Sequence, residues 1–319
     1  MKKNLIRTIF FMFLFILFLT SLNLKSEEVK IIKAKEIWTI NDTGPKPFLS
    51  SDGSYVAWTK STKEDRLNDK IYIAKVGTEE RTEIGRTKEL FGWLDNEYLI
   101  TEEGFLSIRT KKIASFVKES PNRCINTTTF SHSFFRNVPY YTGILCPLLV
   151  IQNGKLKKHF STDEPYFWSL FIIPDKGKKK LIILMQGLPI YERENIENIF
   201  QFATSPDGKK LLVDYFPRET IVINPKEEKI CSLPDGTSFS WYPDSKELIF
   251  TRLEDDGHFE TKGELFICNW DGTNVRKIVF EKERIRREPS FGPPDVITYS
   301  FWNENRNLCI GVAKILREH

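Results

Sequence analysis

The sequence predicts an all-β fold, a β-propeller built from four-stranded antiparallel blades. Three observations carry this. A strand–turn–strand unit recurs along the chain, and a second hairpin follows most copies of it. No segment beyond the N-terminal leader keeps a helical hydrophobic period, and Arg193–Phe200 amounts at most to a short turn of helix.

The first unit, Phe48–Trp58 (FLSSDGSYVAW), recurs as Phe202–Val213 (FATSPDGKKLLV) and as Phe239–Phe250 (FSWYPDSKELIF). Looser copies are Phe91–Ile100 (FGWLDNEYLI) and Phe291–Tyr299 (FGPPDVITY). In each, Pro presets the turn's φ, Asp hydrogen-bonds back onto local backbone, and Gly supplies a positive φ. The β-branched and aromatic residues that follow suit a pleated, buried strand. Second hairpins run from Ile71–Gly77 into Thr78–Ile84 and from Leu148–Gly154 into Lys155–Phe160. Two more turn back from Thr220–Asn224 to Lys229–Leu233 and from Leu265–Gly272 to Val275–Phe280. Asn-Gly and Asp-Gly between apolar runs are strong hairpin signals.

First-strand aromatics fall at Phe48, Phe91, Trp168, Phe202, Phe239 and Phe291. Their spacing predicts seven blades of roughly 40 residues, a length typical of propeller repeats. Six larger blades, with an insertion around Pro121–Tyr141, is the competing count. Residues 27–319 form one propeller domain, closed by the strand-like stretch near residues 29–40, which would remove the exposed edges.

The first 26 residues read as an address. Lys2, Lys3 and Arg7 precede Ile9–Leu19, an unbroken apolar run that suits the core of a secretory signal peptide. Cleavage is expected near Ser21 or Ser26, with an uncleaved anchor over Leu5–Leu22 as the alternative. The expected location is therefore periplasmic or secreted, and no membrane contact is foreseen beyond the leader. The formal charge of +4 comes from the leader's cations, so the body is electroneutral. An electroneutral body argues against a nucleic-acid-binding surface.

Export permits disulfides. Cys124 and Cys146 bracket an irregular polar stretch and are the expected pair, whereas Cys231, Cys268 and Cys309 sit in apolar strands as small hydrophobes. The turns Thr204–Gly208, Tyr242–Ser245 and Ser51–Gly53 resemble those of the TolB-type β-propellers, with similar repeats in the propellers of prolyl oligopeptidase relatives. The resemblance covers about residues 29–316, the propeller portion without TolB's N-terminal domain. It implies a fold and leaves function open, because propellers host many activities.

No Gly-x-Ser-x-Gly elbow, Walker A loop, His-Glu-x-x-His or dinucleotide fingerprint occurs. His132 and His159 with a cysteine would make a zinc site, but the ligand spacing is missing, and His258 and His319 stand alone. Glu254–His258 reads as a turn sooner than a calcium loop, and Lys176–Lys180 as a hairpin tip sooner than a phosphate patch. Asp52, Asp95, Asp207, Asp244 and Asp295 each fall in a repeat turn and are assigned to it. Trp93, Trp168 and Trp241 are assigned to blade packing.

The least repeat-like stretch, Asn122–Tyr141, carries Phe130, Phe134, Phe135, Tyr140 and Tyr141. On a loop rim these form a partner-binding surface; in a degenerate third blade they are core. The sequence therefore predicts an exported, non-catalytic platform that binds a protein or a cell-envelope polymer, without a cofactor. The alternative is a propeller enzyme of lyase or glycosidase type with its site in the central funnel.

Overall fold

The computed structural model describes residues 30–42, 44, 46–61, 69–88, 90–93, 96–101, 104–115, 141–145, 149–152, 155–158, 168–175, 178–185, 188–217 and 219–317. Strands dominate them, and their one helical segment is the 3-10 turn Pro225–Glu227.

The chain opens with β1 (Lys30–Ile40). Four-stranded antiparallel sheets then follow in sequence order. The first is β2 (Phe48–Leu49), β3 (Tyr55–Lys60), β4 (Asp69–Lys75) and β5 (Arg81–Thr87). The second is β6 (Leu90–Trp93), β7 (Tyr98–Thr101), β8 (Gly104–Ser107) and β9 (Ile113–Ser115). The third combines β10 (Tyr141–Leu145) with β13 (Trp168–Asp175), β14 (Lys178–Met185) and β15 (Leu188–Ile196). Between β10 and β13, β11 (Leu149–Gln152) and β12 (Lys155–Lys158) pair as a separate hairpin. The fourth is β16 (Asn198–Thr204), β17 (Leu211–Phe216), β18 (Glu219–Asn224) and β19 (Lys229–Ser232). The fifth is β20 (Thr237–Trp241), β21 (Glu247–Asp255), β22 (Glu260–Asn269) and β23 (Arg276–Val279). The last, β24 (Arg286–Phe291), β25 (Val296–Trp302) and β26 (Leu308–Leu316), takes β1 as its fourth strand, with Lys33 opposite Leu316 and Ile40 opposite Ile310.

The core lies between consecutive sheets, and this explains the strand composition. Side chains alternate across a sheet, so Leu211 and Val213 pack on Leu181 and Ile183 of the third sheet. Leu212 and Val222 point the other way, onto Phe239, Leu248 and Phe250 of the fifth. Both faces of a middle strand are buried, which is why Leu211–Val213 reads as a continuous apolar run instead of an alternation. The first and last sheets also meet: Trp38, Ile40, Ile310 and Val312 pack on Leu49, Val56 and Trp58. Consecutive antiparallel sheets whose first and last members pack together make a β-propeller.

A bulge between Glu36 and Trp38 lets β1 serve two neighbours. Before it, Ile32 and Ala34 join the core shared with the fifth sheet; after it, Trp38 and Ile40 join the core shared with the first. An extra residue reverses the side-chain alternation, and only a bulge does this without breaking the strand.

Two expectations need correction. Arg193–Phe200 contains no helical turn: β15 and β16 run through it, and the polar run reflects an outer strand whose Glu192 and Arg193 pair with Lys180 and Glu219. Trp168 is not on a first strand, because β10 precedes β13 in its sheet and no Pro-Asp-Gly turn joins them. Four four-stranded sheets, the β11–β12 hairpin and one eight-stranded sheet, in which the fifth and last groups of strands join through β23 and β1, account for the strands among the described residues.

Candidate functional site

The repeat turns cluster where first strands hand over to second strands, and their aspartates serve the backbone. Asp207 accepts the Ser205 hydroxyl at 2.5 Å and the Lys209 N–H at 3.1 Å. Asp52 does the same with Ser50 and Ser54, and Asp244 with the Lys246 N–H. Burial opposes the Asp52 charge, yet the hydrogen bonds from Ser54 and Ser50 outweigh it and hold its carboxyl below the ordinary range. Gly53 and Gly208 sit at φ of 75° and 71°, as the turn requires.

Turns of adjacent sheets are also bonded to one another. Ser51 donates to Asn96 at 2.6 Å, and the Asp207 N–H donates to the Ser245 hydroxyl at 3.0 Å. Asp295 departs from the expected pattern. The Val296 N–H is spent on the Pro293 carbonyl, and Asp295 instead accepts Arg317 at 2.5 Å and the Tyr242 hydroxyl at 3.3 Å. Arg317 also reaches Glu247 at 2.6 Å, and Glu247 holds Arg276 as well.

The opposite end of the fifth and last sheets carries a cleft of about 940 Å³, with Phe259, Glu260, Lys282, Arg284, Trp302 and Arg306 among its lining. It exists because β21 and β22 are long and their hairpin tip projects. Asp256 shapes the tip by accepting the N–H groups of Phe259 at 2.8 Å and His258 at 2.9 Å, which lower its pKa. Asp255 likewise accepts the Gly257 N–H, and Glu254 pairs with Lys262, so the carboxylates of the Glu254–His258 segment are engaged locally. Phe259 stands 59% exposed at the tip, with the Arg306 guanidinium 4.7 Å from its ring centre. Arg306 comes from the β25–β26 turn, where Asn303 accepts the N–H groups of Asn305 and Asn307.

Behind the rim, charges are locked in series. Glu260 accepts the Trp302 indole N–H at 2.8 Å and Arg287 at 2.5 Å. Arg287 donates to Glu288 at 3.1 Å, whose other oxygen accepts the Lys46 backbone N–H at 2.7 Å. Lys46 lies just ahead of β2, and burial holds its ammonium down to about 8 despite the attraction of Glu288. The wall is thus preorganised and internally neutralised. What it offers outward is the Phe259 ring with the Arg306 and Lys282 cations, a surface suited to binding.

Of the residues singled out in sequence, Tyr141 opens β10 opposite Ile172, while Phe130, Phe134, Phe135 and Tyr140 lie outside the described residues. Cys124, Cys146, His132, His159 and His319 lie outside them too. Cys231, Cys268 and Cys309 are free thiols, the last two buried. Among the described residues no group of three His, Cys, Asp or Glu side chains is placed to hold a metal ion. Trp93 and Trp241 donate their indole N–H groups to Phe48 O at 2.9 Å and Ala203 O at 3.2 Å, tying each sheet to the one before. Sequence reasoning missed Phe259, Trp302 and Arg306. The available signal was the Asp-Asp-Gly turn set beyond the length of the other hairpins.

No protein-family model matches the chain, and no curated protein matches it. Among solved structures, the β-propeller domain of Cps50 (Swd1) from Myceliophteria thermophila is similar at 11% identity, covering 89% of this chain and 100% of that one, with a TM-score of 0.49. Oligogalacturonate lyase from Vibrio parahaemolyticus is 12% identical over 87% of this chain and 91% of its own, with a TM-score of 0.44. The β-propeller domain of the trilobed protease from Pyrococcus furiosus is 14% identical over 86% and 82%, with a TM-score of 0.41. At such values no activity transfers, and the propeller assignment rests on the chain's own sheet order and packing.

Proposed function

We propose that this chain is an exported, TolB-type β-propeller that turns nothing over and holds a protein or envelope polymer in the cleft between the β21–β22 tip and the β25–β26 turn. In this reading residues 1–26 direct export and residues 27–319 form the binding body. One observation carries it: Phe259 is exposed beside an open cleft and stacked by Arg306, while the charges behind them are paired with each other. An aromatic and an arginine over a prepaired wall are the side chains that dominate binding energy at interfaces.

The test is a photo-crosslinking residue introduced at position 259, compared with one at Ile230, which is exposed on β19. A defined partner should be trapped from 259 and not from 230. Phe259→Ala with Arg306→Ala should weaken capture by at least about tenfold, since central anchors cost ~2 kcal/mol or more. Melting should stay unchanged, because neither side chain is in the core. Capture that survives the double substitution refutes the reading.

The enzyme alternative draws on Lys46, just ahead of β2, whose low-pKa amine feels the charge of Glu288. If Lys46→Met abolished turnover of an offered polymer and left capture intact, the function would move to the central funnel.

A further inference from the structure

β1 and the end of β26 share an outward face. Lys33 lies opposite Leu316 and Lys35 opposite Lys314, and directly paired residues point to the same side. Ile31 continues the alternation, and Ile37 is the extra residue of the bulge. The three apolar side chains are exposed, Ile31 by 66%, Ile37 by 49% and Leu316 by 45%, and Lys33, Lys35 and Lys314 are exposed beside them. Among the described residues none of these lysines forms an ion pair, whereas Lys60, Lys70, Lys180, Lys262 and Lys277 all do. The acid on β1, Glu36, is turned elsewhere, to Arg284 and Tyr299.

Edge protection explains little of this. Lysines do discourage unwanted strand pairing, but β23 already lies beside β1, and protection gives no reason to expose two isoleucines and a leucine. Apolar side chains that enter the headgroup layer, flanked by lysines whose stems lie along it, are the composition of a surface that rests on an anionic membrane.

We propose that the Ile31–Lys33–Lys35–Lys314–Leu316 face is a docking surface for an anionic lipid bilayer, which would orient the propeller on the membrane independently of what its cleft binds.

The test partitions the full chain onto vesicles of phosphatidylcholine alone and of phosphatidylcholine with phosphatidylglycerol. It compares wild type with the triple variant Lys33→Gln/Lys35→Gln/Lys314→Gln and with Ile31→Ser/Leu316→Ser. The leader contributes equally to all three proteins, so differences among them report on the face. Wild type should prefer the anionic vesicles, and half-molar salt should remove that preference. The lysine variant should lose affinity for anionic vesicles by on the order of a hundredfold, at about fivefold per lysine, and should be unaltered on phosphatidylcholine. The Ser variant should weaken binding to the anionic vesicles at high salt as well as low. Circular dichroism checks that each variant is folded, and the two variants alter different residues, so failure of one to fold leaves the other decisive. Equal binding of wild type to both vesicle types overturns the proposal. So does a lysine variant that binds as wild type, or a wild type that a soluble polyanion strips from the vesicles while staying bound to that polyanion itself.

Discussion

Arg317→Ala should loosen the last sheet by an amount that the geometry bounds. Arg317 bridges Glu247 at 2.6 Å and Asp295 at 2.5 Å, and its guanidinium lies 5.1 Å from the Tyr242 ring centre. Charged hydrogen bonds contribute about 1.5–3 kcal/mol each when partly desolvated. Here Glu247 keeps Arg276 and Asp295 keeps Tyr242 after truncation, and Arg317 is itself partly exposed. The net loss should be near 2–3 kcal/mol, less than the cost of orphaning a fully buried charge. For a body of this size that shifts melting down by roughly 5 °C.

The pH dependence supplies a second, independent check. Burial would raise the Glu247 pKa, but hydrogen bonds from Arg317 and Arg276 outweigh it and hold the carboxyl below its ordinary value of 4.5. A depressed carboxylate contributes stability that is present above its unfolded pKa and is lost as pH falls through the folded one. The gap between wild type and Arg317→Ala should thus be full at pH 7 and shrink below about pH 4.5. Differential scanning calorimetry at pH 7 and pH 3.5 measures both. A variant melting within about 1 °C of wild type at pH 7, or a gap as large at pH 3.5 as at pH 7, would refute the reasoning.

Two further outcomes are expected. Trp241→Phe should destabilise more than Trp93→Phe, by about 1–2 against about 1 kcal/mol, because the Ala203 carbonyl loses its donor in a buried site and the Phe48 carbonyl in a half-buried one; chemical denaturation orders them, and a reversed order contradicts the assignment. Burial raises all three described thiols, Cys268 up to about 12, so access decides their order: in the native protein at pH 8 a thiol reagent should reach half-buried Cys231 and spare buried Cys268 and Cys309. Denatured without reductant, the chain should release three thiols if Cys124 and Cys146 are joined, and all five otherwise.

The hairpin turns were legible because their chemistry is local. Asp207, Gly208 and the hydroxyl of Ser205 fall within one turn, and the apolar runs beside them need burial on both faces. β10 was not legible, since its sheet is interrupted by the β11–β12 hairpin and no turn residue announces the return at Trp168. The polar composition of Arg193–Phe200 misled because an outer strand takes its partners from other strands, as Arg193 does from Glu219. The cleft was the least visible feature. It is assembled from Glu260 with Trp302, Glu36 with Arg284 and Lys46 with Glu288, pairs far apart in the chain. No window along a sequence can bring these together.

That β1 and β26 share a sheet has a consequence for synthesis. The four-stranded sheets can be assembled from strands near one another in the chain, but the eight-stranded one needs β1 beside β23 and β26, which are made long after it. β1 must wait until β23 and β26 have been made, and its contact with β26 closes a long loop. Loss of β1 would therefore leave the edge of β26 without its partner, a defect at a strand that lies far along the chain from the lesion.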